Sequence, residues 1–152
     1  MKVLIDTNLL TRMAVTNDPQ HAIAVQAILM LDQADCDICL IPQVLYEYWS
    51  VATRPADVNG LGMSPIAAGD SIRDLMDTYE LHRDEGRVFD LWQQLVTTHA
   101  VKGKNAHDAR IVAAMMCHGL TNLVTFNVQD FARFTGITVY SPADVVNGLL
   151  KT

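Results

Sequence analysis

The chain has 152 residues, half of them hydrophobic, which excludes a disordered protein and favours one domain spanning residues 1–152. Its formal net charge of −6 argues against a general polyanion binder, but still allows a nucleic-acid enzyme whose basic residues line one groove. No apolar stretch is long enough for a membrane span, and the run Val3–Ile5 is too short for a signal-peptide core. We therefore expect a cytoplasmic protein.

In chain order, the sequence opens with a short buried strand and then alternates helices with strands. Asp18 and Pro19 suit the N-cap and first position of a helix, and Gly119 suits a helix C-terminus. Apolar residues in Val88–Val96 follow the i, i+3, i+4 spacing of a helix. Strands are predicted at Lys2–Ile5, Asp37–Ile41, Thr78–Leu81, Asn122–Phe126 and Ile137–Tyr140. Helices are predicted at Thr7–Val15, Pro19–Leu31, Val88–Val96, Ala106–His118 and Val128–Phe134, and others begin at Pro42, Pro65 and Pro142.

This alternation predicts an α/β fold, namely a three-layer α/β/α sandwich with a central, mainly parallel sheet. Ligands of such sheets bind at the carboxyl ends of the strands. Asp6 and the segment Thr125–Asp130 follow two of the predicted strands. We therefore expect both to lie at the ligand-binding edge of the sheet.

The chain has three cysteines, Cys36, Cys39 and Cys117. This odd number favours a reducing compartment. The spacing of Cys36 and Cys39 is that of a C-x-x-C motif, but the pair enters a strand-like run instead of opening a helix. No second cysteine pair is present to complete a zinc site. We therefore predict plain buried thiols.

Acidic side chains adjoin apolar runs at four places. Asp6 ends the first strand, Glu47 borders the apolar arc of a helix, Asp108 lies in the first turn of another helix, and Asp130 follows a later strand. Carboxylates beside a core are costly unless something compensates their charge. A shared Mg²⁺ or Mn²⁺ ion would compensate all four, because hard cations prefer carboxylate and water ligands.

Each acid also has a purely structural explanation. Asp6 can cap the first helix, although Thr7 and Asn8 give three capping candidates in a row, and this redundancy favours a ligand role for Asp6. Asn105 is the predicted N-cap of the helix that contains Asp108, which would place Asp108 at the N3 position.

Two further acids have similar alternatives. Asn127 is a predicted cap of the next helix, with Asp130 at its N3 position, so capping alone can explain Asp130. Glu47 is explained equally well as a solvated helix residue. The interpretation as a metal site therefore depends on all four acids converging.

Four segments together resemble a PIN-domain nuclease, of the kind found as VapC-type toxin ribonucleases in bacterial toxin–antitoxin pairs. These segments are residues 3–8 (VLIDTN), Glu47 in its helix, residues 107–113 (HDARIVA) and residues 123–131 (LVTFNVQDF). The resemblance runs over essentially the whole chain.

The resemblance implies Mg²⁺- or Mn²⁺-dependent cleavage of RNA, with Asp6, Asp108 and Glu47 as catalytic metal ligands. Many relatives have an aspartate where this chain has Asn127, so the fourth position is assigned to Asp130, directly or through water. The supporting polar positions, which orient water or phosphate, correspond to Thr7, Asn8, Thr125 and Asn127.

The family mechanism is attack of water on phosphorus in line, which leaves 5′-phosphate and 3′-hydroxyl ends. The resemblance also implies a homodimer and a small cognate antitoxin that fills the acidic groove. Apolar residues of the second helix and of Ser64–Thr78 are candidates for the dimer surface.

Two alternatives are left open. A phosphatase of the haloacid-dehalogenase type also has an aspartate after its first strand, but in a D-x-D pattern whose second acid is replaced here by Asn8. A non-catalytic PIN-like binding module is compatible with Asn127 at the fourth position.

Overall fold

The computed structural model describes residues 1–150, and its centre is a five-stranded sheet. All pairings between neighbouring strands in the described residues are parallel. The strands are β1 (Lys2–Ile5), β2 (Asp37–Leu40), β3 (Glu80–Leu81), β4 (Asn122–Val124) and β5 (Thr138–Tyr140), in the spatial order β3-β2-β1-β4-β5. The chain therefore grows outward from β1 on one side and returns to β4 on the other, which creates a crevice between the ends of β1 and β4.

Helices cover both faces of this sheet. In β1, Val3, Leu4 and Ile5 are fully buried although successive strand residues point to opposite faces. Helix α2 packs on α1 and α7, and α5 packs on α6. The predicted α/β/α sandwich is confirmed. The helices are α1 (Thr7–Ala14), α2 (His21–Gln33), α3 (Pro42–Thr53), α4 (Pro65–Thr78), α5 (Arg87–Thr98), α6 (Asn105–His118) and α7 (Pro142–Val146), with short 3₁₀ helices at Ala56–Val58 and Val128–Phe131.

The predicted start of α2 at Pro19 is wrong. The helix begins at His21 with Gln20 at its N-cap. The Asp18 side chain instead forms a turn before the helix, where it accepts a hydrogen bond from Gln20 N at 2.7 Å. Asp18 also lies 3.4 Å from the Arg12 guanidinium, so tertiary pairing competes with capping.

One further predicted cap is wrong, and another is right in position but makes no capping hydrogen bond. Helix α6 begins at Asn105 itself, with Lys104 as N-cap and no capping side chain, so Asp108 lies one position later than N3. Asn127 occupies the N-cap of the second 3₁₀ helix but makes no capping hydrogen bond through its side chain. Neither Asp108 nor Asp130 is therefore explained by a capping box.

The cysteines are free thiols. Cys39 is fully buried in β2, as predicted, whereas Cys36 is only half-buried. Within residues 1–150, no helix is long and apolar enough to cross a membrane. The predicted domain extends to residue 152, and its last two residues lie outside the described part of the chain.

Candidate functional site

Hydrogen bonds hold Asp6 at the crevice between β1 and β4. It directly follows β1, acts as the N-cap of α1, and is only 7% exposed. Its Oδ1 accepts a hydrogen bond from Thr7 N at 2.7 Å, and its Oδ2 accepts one from Thr125 Oγ1 at 2.6 Å. Asp6 N donates to Val124 O at 3.0 Å, which continues the pairing with β4. Asp6 therefore caps a helix and also lies at the ligand-binding edge.

Asn8 and Thr125 connect Asp6 to the segment that follows β4. Asn8 Nδ2 donates to Asp6 Oδ2 and to Thr125 Oγ1, each at 3.0 Å. Asn8 Oδ1 accepts from Phe126 N at 3.2 Å, and Thr125 Oγ1 accepts from Asn127 N at 3.0 Å. Thr125 is fully buried, so its hydroxyl group depends on these protein contacts for its hydrogen bonds. The predicted polar residues Thr7, Asn8 and Thr125 thus all donate hydrogen bonds to the Asp6 carboxylate.

Glu47 reaches the same region from α3 and is half-buried. Its Oε2 accepts a hydrogen bond from Thr7 Oγ1 at 3.2 Å. Its Oε1 accepts one from Gln43 Nε2 at 2.9 Å. Both carboxylate oxygens are therefore oriented by neighbours on separate elements.

Gln43 is a site residue that the sequence analysis missed. Its amide also donates to His107 O at 2.9 Å, and its Oε1 accepts from Arg110 Nη1 at 3.1 Å. Arg110 Nη2 in turn donates to Asp84 at 2.9 Å. The i, i+4 spacing of Gln43 and Glu47 on one helix was the available signal.

Asp108 completes the group from α6, where it is half-buried. Burial raises the pKa of Asp108 to about 6, and the negative charges of Asp130, Asp6 and Glu47 add to this shift. The pKa of Asp6 is also raised, first by burial and then by Glu47 and Asp130, although hydrogen bonds from Thr125 and Thr7 oppose the shift. The four carboxylates therefore share one region of negative potential.

A cleft of about 490 Å³ opens over these residues. Asp6, Glu47 and Asp108 line it, as does Asn127, while Asp130 is exposed and lies outside the lining. Two basic residues, Arg12 and Arg54, lie on its walls. The remaining lining residues are Thr7, Asn8, Thr11, Ser50, Val51, Asn59 and Ile111.

The donor set of this cleft fits a hydrated hard cation. Its acidic side chains offer only oxygen ligands, which Mg²⁺ and Mn²⁺ prefer. No three of the four carboxylates bring oxygens within 4.8 Å of one another. Mg²⁺ commonly keeps several waters and binds through one or two carboxylates, so it does not require direct contact with all four.

No protein-family model and no curated protein sequence matches this chain. Solved structures do match. VapBC-1 from nontypeable Haemophilus influenzae superposes with a TM-score of 0.69 at 15% identity, covering 94% of this chain and 99% of that one. VapBC2 from Rickettsia felis, bound to a DNA fragment from its promoter, gives 0.68 at 15% identity, covering 93% and 98%.

This chain has the VapC fold. Mycobacterium tuberculosis VapC20, described as a sarcin-ricin loop cleaving toxin, also matches, with a TM-score of 0.60 at 17% identity over 80% of this chain and 86% of that one. The PIN-type fold predicted from the four sequence segments is thereby confirmed. At such low identities the VapC likeness concerns the fold, and the roles of individual residues stay a prediction.

Proposed function

We propose that this protein is a divalent-cation-dependent endoribonuclease that hydrolyses RNA phosphodiester bonds. The observation that supports this most directly is the convergence of Asp6, Glu47 and Asp108 on one cleft, with Asp130 close enough to raise the pKa of two of them. The VapC fold is consistent with this activity. The uncompensated negative charge of these four carboxylates favours binding of a cation.

Asp6 and Asp108 are the proposed cation ligands, with Glu47 and Asp130 contributing directly or through water. Mg²⁺ or Mn²⁺, when bound, neutralises phosphate oxygens and lowers the pKa of a water molecule. Thr125 and Thr7 hold the Asp6 carboxylate in place before any ligand arrives. This preorganisation avoids a reorganisation cost during the reaction.

RNA is held in part by the basic walls of the cleft. Arg12 and Arg54, which line the cleft, are the proposed contacts to RNA phosphates. Water is the attacking group in this proposal, so the products carry 5′-phosphate and 3′-hydroxyl ends.

We also propose that the protein is the toxin of a toxin–antitoxin pair and acts in the cytoplasm as a homodimer. A structure described as a toxin–antitoxin complex from Klebsiella pneumoniae matches with a TM-score of 0.64 at 21% identity, covering 92% of this chain and 97% of that one. Exposed apolar residues are available for partner binding, and they include Leu29 on α2 and Ile66 and Met76 on α4. Co-purification of a small protein encoded by a short reading frame next to the gene would support this pairing, and a gene without such a neighbour would count against it.

The decisive experiment compares cleavage of a labelled RNA pool by the wild type and by Asp6→Asn in Mg²⁺ or Mn²⁺. We expect Asp6→Asn to lose roughly 100-fold or more of the rate, because it removes a direct cation ligand. Asp32→Asn, an exposed aspartate on α2, is the matched control and should keep the wild-type rate. Circular dichroism establishes that both variants are folded.

Cleavage that continues in excess chelator, or an Asp6→Asn variant with the wild-type rate, would contradict the proposal. Absence of cleavage by the wild type on a broad RNA pool, combined with tight RNA binding, would favour a non-catalytic binding module.

A further inference from the structure

A second group of metal-ligand side chains lies at the β3 edge of the sheet and shares no residue with the acidic cleft. Cys39 in β2 pairs directly with Glu80 in β3, and His82 follows two residues later on the same face. The backbone continues this pairing, since His82 N donates to Leu40 O at 2.9 Å. The potential ligand atoms of Cys39, Glu80 and His82 all lie within 4.8 Å of one another.

Two histidine rings meet beside this group, and one of their nitrogens has no partner. His118 Nε2 is shielded from solvent and makes no hydrogen bond in the described structure, whereas His82 Nε2 lies 3.2 Å from Glu80 Oε1. The His82 and His118 side chains are only 14% and 11% exposed, and the two ring centroids are 5.1 Å apart. A buried nitrogen without a partner is costly and uncommon, so His118 Nε2 is available for a further contact beside this group.

We propose that Cys39 Sγ, Glu80 and His82 Nε2 bind a zinc-type divalent cation, and that the His118 ring, which packs against His82, turns to supply Nε2 as the fourth ligand. Mixed sulfur, imidazole and carboxylate donors suit Zn²⁺ and do not suit Mg²⁺. Zinc bonds of about 2.0–2.3 Å require donor atoms roughly 3.5 Å apart, so the donors of Cys39, Glu80 and His82 must contract by up to about 1 Å and His118 must move towards them. The ligands come from β2, the β3 edge and the end of α6, so the ion fastens the edge of the sheet to that helix.

Lys2 is the main competitor for this site. Its Nζ contacts both Glu80 oxygens at 2.6 and 2.7 Å, and the Lys2 side chain is 43% exposed. An exposed ion pair of this kind contributes little to stability, so Lys2 can turn towards solvent while Glu80 binds the ion. Burial, together with Glu80, raises the pKa of Cys39 to about 11, so binding of the cation releases the thiol proton.

A neighbouring set, Glu85, Cys117 and His118, is the alternative ligand group. It shares His118 but uses a different thiol, and its glutamate is exposed. The identity of the sulfur ligand therefore distinguishes the two sites.

Co²⁺ is the appropriate probe, because it replaces Zn²⁺ and its thiolate bond gives a charge-transfer absorption band. Reduced, chelator-treated protein is titrated with Co²⁺ and then with Zn²⁺. We expect one equivalent of thiolate-bound Co²⁺, displaced by Zn²⁺ but not by Mg²⁺. Cys39→Ser should abolish the band, and His82→Gln should weaken binding by roughly tenfold or more. Cys36→Ser and Asp6→Asn are the controls and should keep the band.

Failure of the wild type to show the band would overturn the proposal. So would a band that survives in Cys39→Ser, and loss of the band only in Cys117→Ser would assign the ion to the alternative group. If Cys39→Ser does not fold, by circular dichroism, His82→Gln decides, because its ring is partly exposed. None of these readouts depends on RNA cleavage.

Discussion

Asp108 is half-buried and feels the negative charges of three other carboxylates. Burial, followed by Asp130, Asp6 and Glu47, raises its pKa to about 6, and only His107 opposes this shift. An ionised carboxylate binds a cation and a protonated one does not. Because the pKa of Asp6 is raised as well, we expect ionisation of these carboxylates to affect cation binding by the proposed nuclease.

The first prediction concerns pH. At limiting Mn²⁺, RNA cleavage should rise as the pH increases through about 6, where Asp108 loses its proton. Higher Mn²⁺ should move this midpoint to lower pH, because the cation competes with the proton. Initial rates measured at several Mn²⁺ concentrations on both sides of that pH test this, and a midpoint that does not respond to Mn²⁺ would contradict it.

The second prediction concerns stability. A raised pKa stabilises the fold below the ordinary value of 3.8, and that contribution is lost as the pH rises through about 6. At neutral pH, Asp108→Asn should therefore stabilise the metal-free protein by about 1 kcal/mol, after discounting for solvent screening, and raise Tm by roughly 2–4 °C.

Asp90→Asn is the matched control for this measurement, because Asp90 lies in the first turn of α5 and is exposed. Differential scanning calorimetry should show no gain for Asp90→Asn. A lower Tm for Asp108→Asn would mean that the carboxylate stabilises the metal-free fold.

At the scale of elements, the loop between α3 and α4 forms one wall of the cleft through Arg54 and Asn59. Its backbone is closely packed, since Gly62 N donates to Arg54 O at 2.9 Å. A Cβ at Gly60 would lie 1.9 Å from Arg54 O, which leaves no room for a side chain. Gly60 therefore fixes the position of this wall.

The third prediction is that Gly60→Ala destabilises the protein by about 1–3 kcal/mol and weakens RNA binding, because the loop must move away from the cleft. Chemical denaturation and a KM measurement test these effects. Gly86→Ala is the control, since a Cβ there meets nothing within 4 Å, and it should leave both quantities unchanged. An unchanged KM for Gly60→Ala would exclude this loop from RNA binding.

Element types were predictable from the sequence because apolar periodicity and strand-ending acids are local signals. Element starts were less predictable. Asp18 pairs with Arg12 instead of capping α2, and Asn105 lies inside α6 instead of before it. For Asp18, a contact made only in the folded chain outweighs a capping preference that contributes about 1 kcal/mol.

The site residues were also only partly predictable from the sequence. The positions of Asp6 and Asp108 at an element boundary and in a first turn drew attention to them as ligands. The spacing of Gln43 and Glu47 indicated their contact within α3, but the hydrogen bonds from Gln43 to His107 and Arg110 depend on how α3 meets α6, and no spacing in the sequence reports them. The group at Cys39 and His82 likewise forms only when the two-residue strand β3 pairs with β2.

At the scale of the whole molecule, a net charge of −6 opposes the approach of RNA. A bound cation offsets this repulsion where the phosphate must lie. Binding of any ligand to the folded state alone also raises stability in proportion to the logarithm of its concentration.

The fourth prediction follows from this linkage. Mg²⁺ at 100 times its Kd should stabilise the wild type by about 2.7 kcal/mol, which corresponds to roughly 5–10 °C in Tm. Asp6→Asn should lose this shift, whereas Cys39→Ser should keep it, because Mg²⁺ does not favour thiolate ligands. Thermal melts with and without Mg²⁺ measure it, and an unchanged wild-type Tm would count against a cation site in the cleft.

The reversal of strand order at β1 divides the acidic residues between two separate halves of the chain. The N-terminal half, which builds β1 to β3, carries Asp6 and Glu47, and the C-terminal half carries Asp108 and Asp130. A break in the exposed segment between β3 and α5 would leave each fragment with an incomplete ligand set. Neither fragment should cut RNA alone. Nuclease activity in a mixture of the two fragments would then show that they had associated.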